Sequence, residues 1–388
     1  MYDVIIVGGG VSGIACALNI NKNLNSLLIE SNDVIGKKLS ITGNGRCNIT
    51  NSNVKHNFLD NIYNYKFMYS AFNNFDNFDF INVLNSYGIK LKEEDNGRMF
   101  PTSNTSLSII NAFKENLNHI KINLKEKVLN INNCKNEFII TTSKGKYQTK
   151  KLVIATGGLS YPHTGSDGFG LKYARSTDHC ITKLLASEAP LYSNNLICKK
   201  LQGRTFDNCT IKYNKKKIGN NSLLITHFGL SGPLAFRACF DIIKSNIYSI
   251  NIDFISDTAY NELKIKLLES SNIKSTLNQY MTKSLTNYLL AYQNIKVKRF
   301  NELSLKKQEQ LLTTIKNYPL ELTKYADISK GFTTGGGIEL SQINNSTFES
   351  KIIQNLYFIG EVLDIHAHTG GYNITTYFSM GVNCGRNI

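Results

Sequence analysis

The strongest constraint on the fold lies at the start of the chain, in the segment YDVIIVGGGVSGIACALNI. The apolar run Val4–Val7 is typical of a buried strand, and it leads through Gly8-x-Gly10-x-x-Gly13 into an apolar helix. In such a unit Gly8 permits a sharp turn, Gly10 lets a pyrophosphate approach the backbone, and Gly13 allows close packing of helix on strand. The segment therefore predicts a Rossmann-like α/β fold that binds a dinucleotide at a helix N-terminus.

Further segments extend this pattern to the whole chain. A second apolar strand, SLLIE, ends in Glu30, and an acid at this position accepts hydrogen bonds from ribose hydroxyls. The segments at 151–158 (KLVIATGG) and 355–388 each begin as a strand that breaks into glycines. A simple NAD domain closes locally, whereas here both ends of the chain contribute to one nucleotide fold. We therefore expect FAD as the bound cofactor.

The composition excludes several classes of protein. The chain has 388 residues, of which 41% are hydrophobic and 19% charged, as in a folded globular protein. Since no apolar run reaches the roughly 18 residues of a membrane helix, we expect a cytoplasmic protein with no membrane partner. The eight cysteines form no CxxC pair and no metal-ligand spacing, which favours reduced thiols and no bound metal.

The charge indicates an anionic partner. The chain has 44 Lys and Arg residues and 29 Asp and Glu residues, a net charge of +15. Such an excess favours nucleic acid as a partner, although a biased coding composition would also produce it. The basic residues of the central region that could follow phosphates are Lys199, Lys200, Arg204, Lys212, Lys215, Lys216, Lys217, Lys296, Lys298, Arg299, Lys306 and Lys307.

Six ordered blocks, spread over nearly the entire chain, carry a family resemblance. They are GKKLSITGNGRCNITN (36–51), GRMFPTSNTS (97–106), ATGGLSYPHTGSDGFG (155–170), LLITHFGLSGP (223–233), TTGGGIEL (333–340) and LYFIGEVLDIHAHTGGYNITTYFSMG (356–381). Together they resemble the BaiN/YhiN-type flavoproteins, which are NAD(P)/FAD-dependent oxidoreductases. The chain departs from the family pattern at Asn44, where a third glycine is common, and in the more basic DIHAHTGGYN.

The resemblance implies an FAD-binding domain that is split in sequence, with an inserted domain facing the flavin. We expect the two parts of the FAD-binding domain at 1–187 and 330–388. The insertion at 188–329 is expected to be β-rich over about 188–257 and helical over about 258–329, where Leu and Ile recur at helical spacing. The predicted fold class is α/β, with a split Rossmann-like FAD-binding domain and a β-rich plus helical insertion.

The loop that spans residues 36–51 follows the second strand, at the edge where open α/β sheets bind ligands. Its glycines Gly43 and Gly45 are expected to let backbone amides approach FAD. Lys38 or Arg46 is expected to balance negative charge at the pyrophosphate or on the reduced flavin.

The last segment supplies further candidates for the cofactor. Thr369-Gly370-Gly371 is expected to open a helix whose N-terminus stabilises the reduced flavin, and Glu361 is expected to hold the ribitol hydroxyls. The predicted FAD-binding residues are Gly8, Gly10, Ser12, Gly13, Glu30, Lys38, Gly43, Gly45, Arg46, Cys47, Val128, Thr156, Gly157, Gly360, Glu361, Thr369, Gly370, Gly371 and Asn373.

Candidates for catalysis lie in the same loops. A thiol beside cations has a lowered pKa, so Cys47 is a candidate proton donor, although a small buried residue that packs the loop is the alternative. His366 and His368 are candidate substrate contacts, or else solvated loop histidines. The predicted catalytic residues are Cys47, Arg46, His366 and His368.

The reaction follows from the cofactor and the resemblance. Because a single G-x-G-x-x-G unit is present, NADH or NADPH is expected to reduce the flavin transiently, before an acceptor takes the hydride. The resemblance implies an activated C=C as acceptor, either uracil in large-subunit ribosomal RNA or a steroid-like enone of bile acids. The basic central region favours RNA. A non-catalytic flavin protein, associated with RNA or sensing redox state, is the third hypothesis, and the oligomeric state stays open.

Overall fold

The computed structural model describes residues 1–134 and 137–388. Its strands, in chain order, are β1 (Tyr2–Val7), β2 (Ser26–Ile29), β3 (Thr50–Asn51), β4 (Leu91–Glu94), β5 (Arg98–Pro101), β6 (Lys121–Asn123), β7 (Val128–Cys134), β8 (Glu137–Thr142), β9 (Lys146–Ile154), β10 (Leu185–Ser187), β11 (Leu191–Tyr192), β12 (Thr205–Tyr213), β13 (Lys216–Thr226), β14 (Gly229–Ser231), β15 (Ser249–Asp253), β16 (Tyr318–Glu321), β17 (Thr333–Gly335) and β18 (Leu356–Phe358).

The α-helices follow the same order along the chain. They are α1 (Val11–Asn19), α2 (Lys37–Ser40), α3 (Lys55–Leu59), α4 (Tyr69–Asn74), α5 (Asn77–Ser86), α6 (Ser106–Glu115), α7 (Phe169–Ser176), α8 (Leu196–Lys200), α9 (Gly232–Lys244), α10 (Tyr260–Leu268), α11 (Ile273–Leu277), α12 (Lys283–Tyr292), α13 (Leu305–Lys316) and α14 (Tyr372–Asn387).

The described residues form two compact units. The first, the nucleotide unit, comprises Met1–Leu185 and Phe332–Ile388, and the second, the inserted unit, comprises Ala186–Gly331. The insertion predicted from the sequence spans 188–329.

The main sheet of the nucleotide unit has the parallel order β6-β2-β1-β9. The last residues of β9 pair in parallel with β18, and its first residues pair antiparallel with β8, which continues to β7. The apolar run Val4–Val7 is buried on both faces, as expected for a central parallel strand. Since β1, β2, β9 and β18 are parallel, they end at one edge of the sheet. The α/β, Rossmann-like fold class is confirmed.

Helix α14 joins the end of the chain to its beginning by packing on α1. A Cβ atom on Gly381 would lie only 2.3 Å from the carbonyl oxygen of Ser12, so the close approach of the two helices requires glycine there. The hydroxyl of Thr375 donates a hydrogen bond of 2.7 Å to Oγ1 of Thr50. The helix therefore also fixes the start of the small sheet β3-β5-β4, which follows the loop at 36–51.

The inserted unit is built on an antiparallel sheet with the order β11-β14-β13-β12-β15-β16. Ile211, Leu223, Ile225 and Ile252 are fully buried in this unit. Helix α9 packs on β12 and β13, and α13 packs on β15 and β16. Among the described helices, none has the length and apolar character needed to cross a bilayer.

Candidate active site

A cleft of about 1170 Å³, counted with its open mouth, lies in the nucleotide unit. Its wall includes Val7, Ile29 and Ala155, which lie at or just beyond the ends of β1, β2 and β9. This is the edge at which open α/β sheets bind ligands, because loops and helix N-termini converge there.

The glycine motif forms the wall at the start of α1. A Cβ atom on Gly13 would lie 1.9 Å from the carbonyl oxygen of Gly8, so this glycine is needed for close packing between turn and helix. Gly10 differs, because a Cβ atom there would meet nothing within 4 Å and its φ of −77° suits any residue. Protein packing therefore does not require glycine at position 10, and the open space fits a phosphate group at the helix N-terminus.

Glu30 lies beside the motif and is 7% exposed. Its Oε2 accepts a hydrogen bond of 2.7 Å from the N–H of Gly9, and its Oε1 accepts bonds of 2.7 Å from the backbone N–H and side-chain amide of Asn32. These bonds hold the carboxylate in one orientation on the cleft wall. A fixed acceptor at this position suits the ribose hydroxyls of a dinucleotide.

The same end of the cleft contains an ion pair that the sequence patterns did not reveal. Nζ of Lys127 lies 2.7 Å from Oδ2 of Asp167, and both residues line the cleft next to the predicted Val128. Partial burial alone raises the pKa of Asp167, but hydrogen bonds from Lys127 and from the N–H of Phe169 hold it below its ordinary value. The pair links the residue before β7 to the loop before α7.

A buried polar cluster lies where the predicted Lys38 and Glu361 meet. Nζ of Lys38 donates to Oε2 of Glu361 at 2.7 Å and also contacts the hydroxyl of Ser160. Oε1 of Glu361 accepts bonds from that hydroxyl at 2.6 Å and from the N–H of Thr334 at 2.9 Å. We call these four residues the Lys38–Glu361 cluster.

The electrostatics of this cluster are set by burial and by Lys38. Burial alone raises the pKa of Glu361, but the charge of Lys38 and the hydrogen bonds from Lys38, Ser160 and Thr334 outweigh it. The pKa therefore lies below its ordinary value, and Glu361 is an anion at neutral pH. The cluster places one cation and one anion on the cleft wall, with the lysine 26% exposed.

The first turn of α14 also reaches the cleft, through Asn373 and Ile374. The side chain of Asn373 is bonded at 2.7 Å to both the N–H and the carbonyl of Ala367, which fixes the entry to the helix. Because the first turn of a helix carries N–H groups without intrahelical partners, it presents positive charge to the cleft.

The segment Thr369–Gly371 precedes this turn and does not line the cleft itself. A Cβ atom on Gly371 would lie 2.2 Å from the carbonyl oxygen of Thr50, and the amide of Asn51 donates to the carbonyl of Gly370 at 3.0 Å. These contacts anchor the start of α14 on the small sheet.

The loop GNGRC lies off the cleft wall, and the role of Arg46 at the cofactor stays a prediction. The guanidinium of Arg46 pairs with Glu94 and lies 4.3 Å from the ring centre of Phe100. Neither Gly43 nor Gly45 lines the cleft. The physical reason is the backbone, because residues 43–45 all adopt left-handed conformations that curl the loop on itself.

The predicted lowering of the Cys47 pKa is wrong. The side chain is fully buried and does not line the cleft, and burial raises the pKa of the thiol to about 12. Desolvation disfavours the thiolate, and the neighbouring cation, Arg46, is engaged by Glu94.

His366 and His368 also lie away from the cleft wall. The ring of His366 is 1% exposed and stacks on Tyr63 with ring centres 4.3 Å apart. His368 contacts the same tyrosine edge-on at 5.2 Å. Among the described residues, no group of His, Cys, Asp and Glu side chains could hold a metal ion.

The cleft thus brings together residues from both ends of the nucleotide unit. The predicted residues on its wall are Gly8, Gly10, Ser12, Glu30, Lys38, Val128, Thr156, Gly157, Glu361 and Asn373. The predicted residues that lie off the wall are Gly13, Gly43, Gly45, Arg46, Cys47, Gly360, Thr369, Gly370 and Gly371. Wall residues that the sequence patterns missed include Lys127, Asp167, Phe332 and Tyr377. Of these, Phe332 directly precedes the quoted block TTGGGIEL.

A family profile described as "HI0933-like protein Rossmann domain" matches residues 2–387. The chain belongs to this HI0933-like family. The resemblance to BaiN/YhiN-type flavoproteins is confirmed, and the chain is a flavin-dependent oxidoreductase. FAD is the cofactor that we expect in the cleft. The glycine motif, Glu30, the Lys38–Glu361 cluster and the first turn of α14 all fit such a cofactor.

Three relatives match along almost their whole length. The chain is 28% identical to a ribosomal RNA dihydrouridine synthase of Escherichia coli, over 100% of this chain and 98% of the relative. It is 28% identical to the protein of the same name from Haemophilus influenzae, over 99% of this chain and 98% of that relative. It is 25% identical to a 3-dehydro-bile acid delta(4,6)-reductase of Clostridium scindens, over 100% of this chain and 98% of that relative.

Proposed function

We propose that the HI0933-like chain reduces uracil in large-subunit ribosomal RNA to dihydrouridine, with NADH or NADPH as the reductant of its FAD. The names of two full-length relatives support this reaction. The observation that favours RNA over a small molecule is the basic, exposed surface of the inserted unit.

That surface accounts for much of the net charge of the chain. Residues 186–331 contain 21 of the 44 Lys and Arg residues but only 11 of the 29 Asp and Glu residues. Ten of the basic side chains singled out in the sequence are exposed, namely Lys199, Lys200, Arg204, Lys215, Lys216, Lys217, Lys296, Lys298, Arg299 and Lys306. Exposed cations at this density are typical of surfaces that neutralise backbone phosphates.

Two lysines of the predicted set have other roles and are left out of this surface. Lys212 binds Asp253 at 3.1 Å and the carbonyl of Lys316 at 2.9 Å, and Lys307 donates to the carbonyl of Gln293 at 3.1 Å. Lys216 lies 3.6 Å from Asp241 but remains 60% exposed. The remaining cations are free to follow a flexible polynucleotide, which presents its phosphates at varied spacing.

The chemistry divides between cofactor and protein. FAD, once reduced by NADH or NADPH, would supply the hydride for the C5=C6 bond of uracil, and a proton would complete the reduction. The protein holds the pyrophosphate at the start of α1 and the ribose at Glu30. Lys38 and the first turn of α14 offset negative charge in the cleft, and Glu361 keeps Lys38 in place. Cys47 and the histidines of the last segment lie off the wall and take no part in this scheme.

A second candidate function is reduction of a small enone, as in steroid-like compounds. It is supported by the bile-acid reductase, which also aligns with the chain along its whole length. Both reactions add hydride to an activated C=C, so the surface rather than the flavin distinguishes them. RNA binding weakens steeply as salt rises, whereas capture of an uncharged enone depends little on salt.

The test is mass analysis of large-subunit ribosomal RNA from a strain that lacks this gene. We expect one or more dihydrouridines of the parent strain to revert to uridine, and the wild-type gene to restore them. A matched control is complementation with the Glu30→Gln variant, which should restore less because it binds FAD more weakly. Unchanged dihydrouridine in the deletion strain would contradict the proposed function.

A further inference from the structure

The cleft wall also carries an aromatic side chain, Phe332, that is not among the residues assigned above to FAD. The ring of Phe332 lies on the cleft wall and is 44% exposed. It stacks on the ring of Tyr161, with ring centres 6.1 Å apart and planes only 6° from parallel. His163 contacts the same tyrosine edge-on at 5.7 Å. We call Tyr161 and Phe332 the aromatic pair.

The backbone of Tyr161 is held in a conformation that aromatic residues rarely adopt. Its φ of 51° and ψ of 59° lie in the left-handed region. Its carbonyl oxygen accepts two hydrogen bonds from Thr164, from the N–H at 2.8 Å and from the hydroxyl at 2.7 Å. The preceding residue, Ser160, donates its N–H to Thr334 and its hydroxyl to Glu361.

These contacts hold the backbone of Tyr161 on both sides. A strained conformation of a bulky residue costs about 1–3 kcal/mol and persists where the surroundings fix it, commonly at functional sites. Here the surroundings include the Lys38–Glu361 cluster, so the tyrosine ring is coupled to the charged part of the cleft. Partial burial raises the pKa of Tyr161, so its hydroxyl stays neutral around pH 7.

The chemistry of the pair suits a flat, electron-poor ring. Aromatic rings bind nucleic-acid bases by stacking, which tolerates different bases and is worth about 1–3 kcal/mol per base. An enzyme that acts on a base binds it either in a single strand or flipped out of a helix, and holds it in a pocket. We propose that the aromatic pair is the platform on which the substrate pyrimidine of RNA stacks, with Phe332 as the contacting ring. This inference rests on the proposed function and names the substrate contact of its site.

The product offers a sharp probe of this contact. Uracil is planar, whereas dihydrouracil has a saturated C5–C6 bond and a puckered ring, which stacks poorly. Two short RNA oligonucleotides that differ only in one uridine or dihydrouridine therefore carry the same phosphates and the same charge. Their relative affinity for the oxidised holoenzyme, measured by fluorescence anisotropy at one salt concentration, isolates stacking from electrostatics.

We expect the wild-type holoenzyme to bind the uridine oligonucleotide about 5- to 100-fold more tightly than its dihydrouridine counterpart. Phe332→Ala should abolish most of this preference, and Phe332→Trp should keep it. The matched control is Phe78→Ala, because Phe78 is also 44% exposed but lies on α5, off the cleft wall. The dissociation constant of FAD should be the same in all four proteins.

Several results would overturn the inference. The first is equal affinity of the wild type for both oligonucleotides. The second is a preference for uridine that Phe332→Ala retains in full. The third is a loss of FAD affinity in Phe332→Ala, which would assign the ring to the cofactor. Failure of the proposed function looks different. In that case the wild type still prefers uridine and the preference still depends on Phe332, but the reduced holoenzyme transfers no hydride to the bound RNA.

Discussion

Nζ of Lys38 lies 2.7 Å from Oε2 of Glu361, although 323 positions separate the two residues in the chain. Lys38 belongs to α2, after the second strand, and Glu361 follows β18. The ion pair therefore joins the first and last segments of the nucleotide unit on the wall of the cleft. Its burial makes it sensitive to the loss of either charge, because the remaining charge lacks its partner.

The first prediction concerns the acid stability of this pair. The pKa of Glu361 is lower in the folded protein than its ordinary value of 4.5, so the unfolded chain takes up the proton first as the pH falls. The stabilisation is therefore complete above about pH 4.5 and is lost as the pH falls through the folded-state pKa. Glu361→Gln should lower the free energy of unfolding by about 3 kcal/mol at neutral pH.

The measurement is denaturant unfolding of the FAD-saturated wild type and Glu361→Gln between pH 7 and pH 3. The difference between the two proteins should shrink as the pH falls below about 4.5. A difference that stays constant over this range would show that the charge of Glu361 does not stabilise the fold.

The second prediction concerns Glu30 and the ribose. Glu30→Gln removes the charge from an acceptor that faces the cleft, and hydrogen bonds to charged groups contribute about 1.5–3 kcal/mol. The dissociation constant of FAD should rise by about 10- to 100-fold. Titration of the apoprotein with FAD checks this. Glu115→Gln, an exposed change on α6, is the control and should leave the affinity unchanged.

The third prediction concerns Cys47. Because burial raises the pKa of its thiol to about 12 and the residue lies off the cleft wall, Cys47→Ala should keep flavin reduction and product formation within about twofold of wild type. The same burial should make Cys47 slow to alkylate in the folded holoenzyme. The exposed Cys134 and Cys180 should react first.

Mass mapping after a short exposure to a maleimide checks the alkylation order, and stopped-flow kinetics checks the two half-reactions separately. Early labelling of Cys47, or loss of product formation in Cys47→Ala while FAD reduction proceeds normally, would restore its role as a proton donor.

The fourth prediction concerns the tip of the β12–β13 hairpin, where Lys215–Lys217 are exposed. Replacing all three with Gln should weaken RNA binding and reduce the slope of log affinity against log salt by about 2. A control that changes Lys22, Lys90 and Lys114 to Gln has the same net charge and alters exposed lysines of the nucleotide unit. Equal effects of the two triple variants would assign the salt dependence to net charge alone.

The sequence predicts the parts of the site that are local. The strand, turn and helix lie where the pattern from Val4 to Gly13 predicts them, and Gly8, Gly10 and Glu30 line the cleft. Their contacts with the cofactor stay a prediction. These features need only the geometry of one βαβ unit, since parallel strands with right-handed connections bring their carboxyl ends together.

The contacts that the sequence does not predict involve partners distant in sequence. The guanidinium of Arg46 pairs with Glu94, 48 positions later. The sequence also did not reveal the ion pair of Lys127 and Asp167, because the two residues lie 40 positions apart and only Asp167 belongs to a quoted block. The backbone of Cys47 is also left-handed, and its side chain is fully buried. Spacing along the chain does not reveal such contacts.

The most direct test of the account is a single-turnover reaction without oxygen. Holoenzyme with fully reduced FAD is mixed with large-subunit ribosomal RNA that lacks dihydrouridine, and flavin oxidation is followed together with the RNA mass. We predict that flavin is oxidised as a uridine gains two hydrogen atoms. Flavin that stays reduced with RNA but is oxidised by a steroid-like enone would contradict the account.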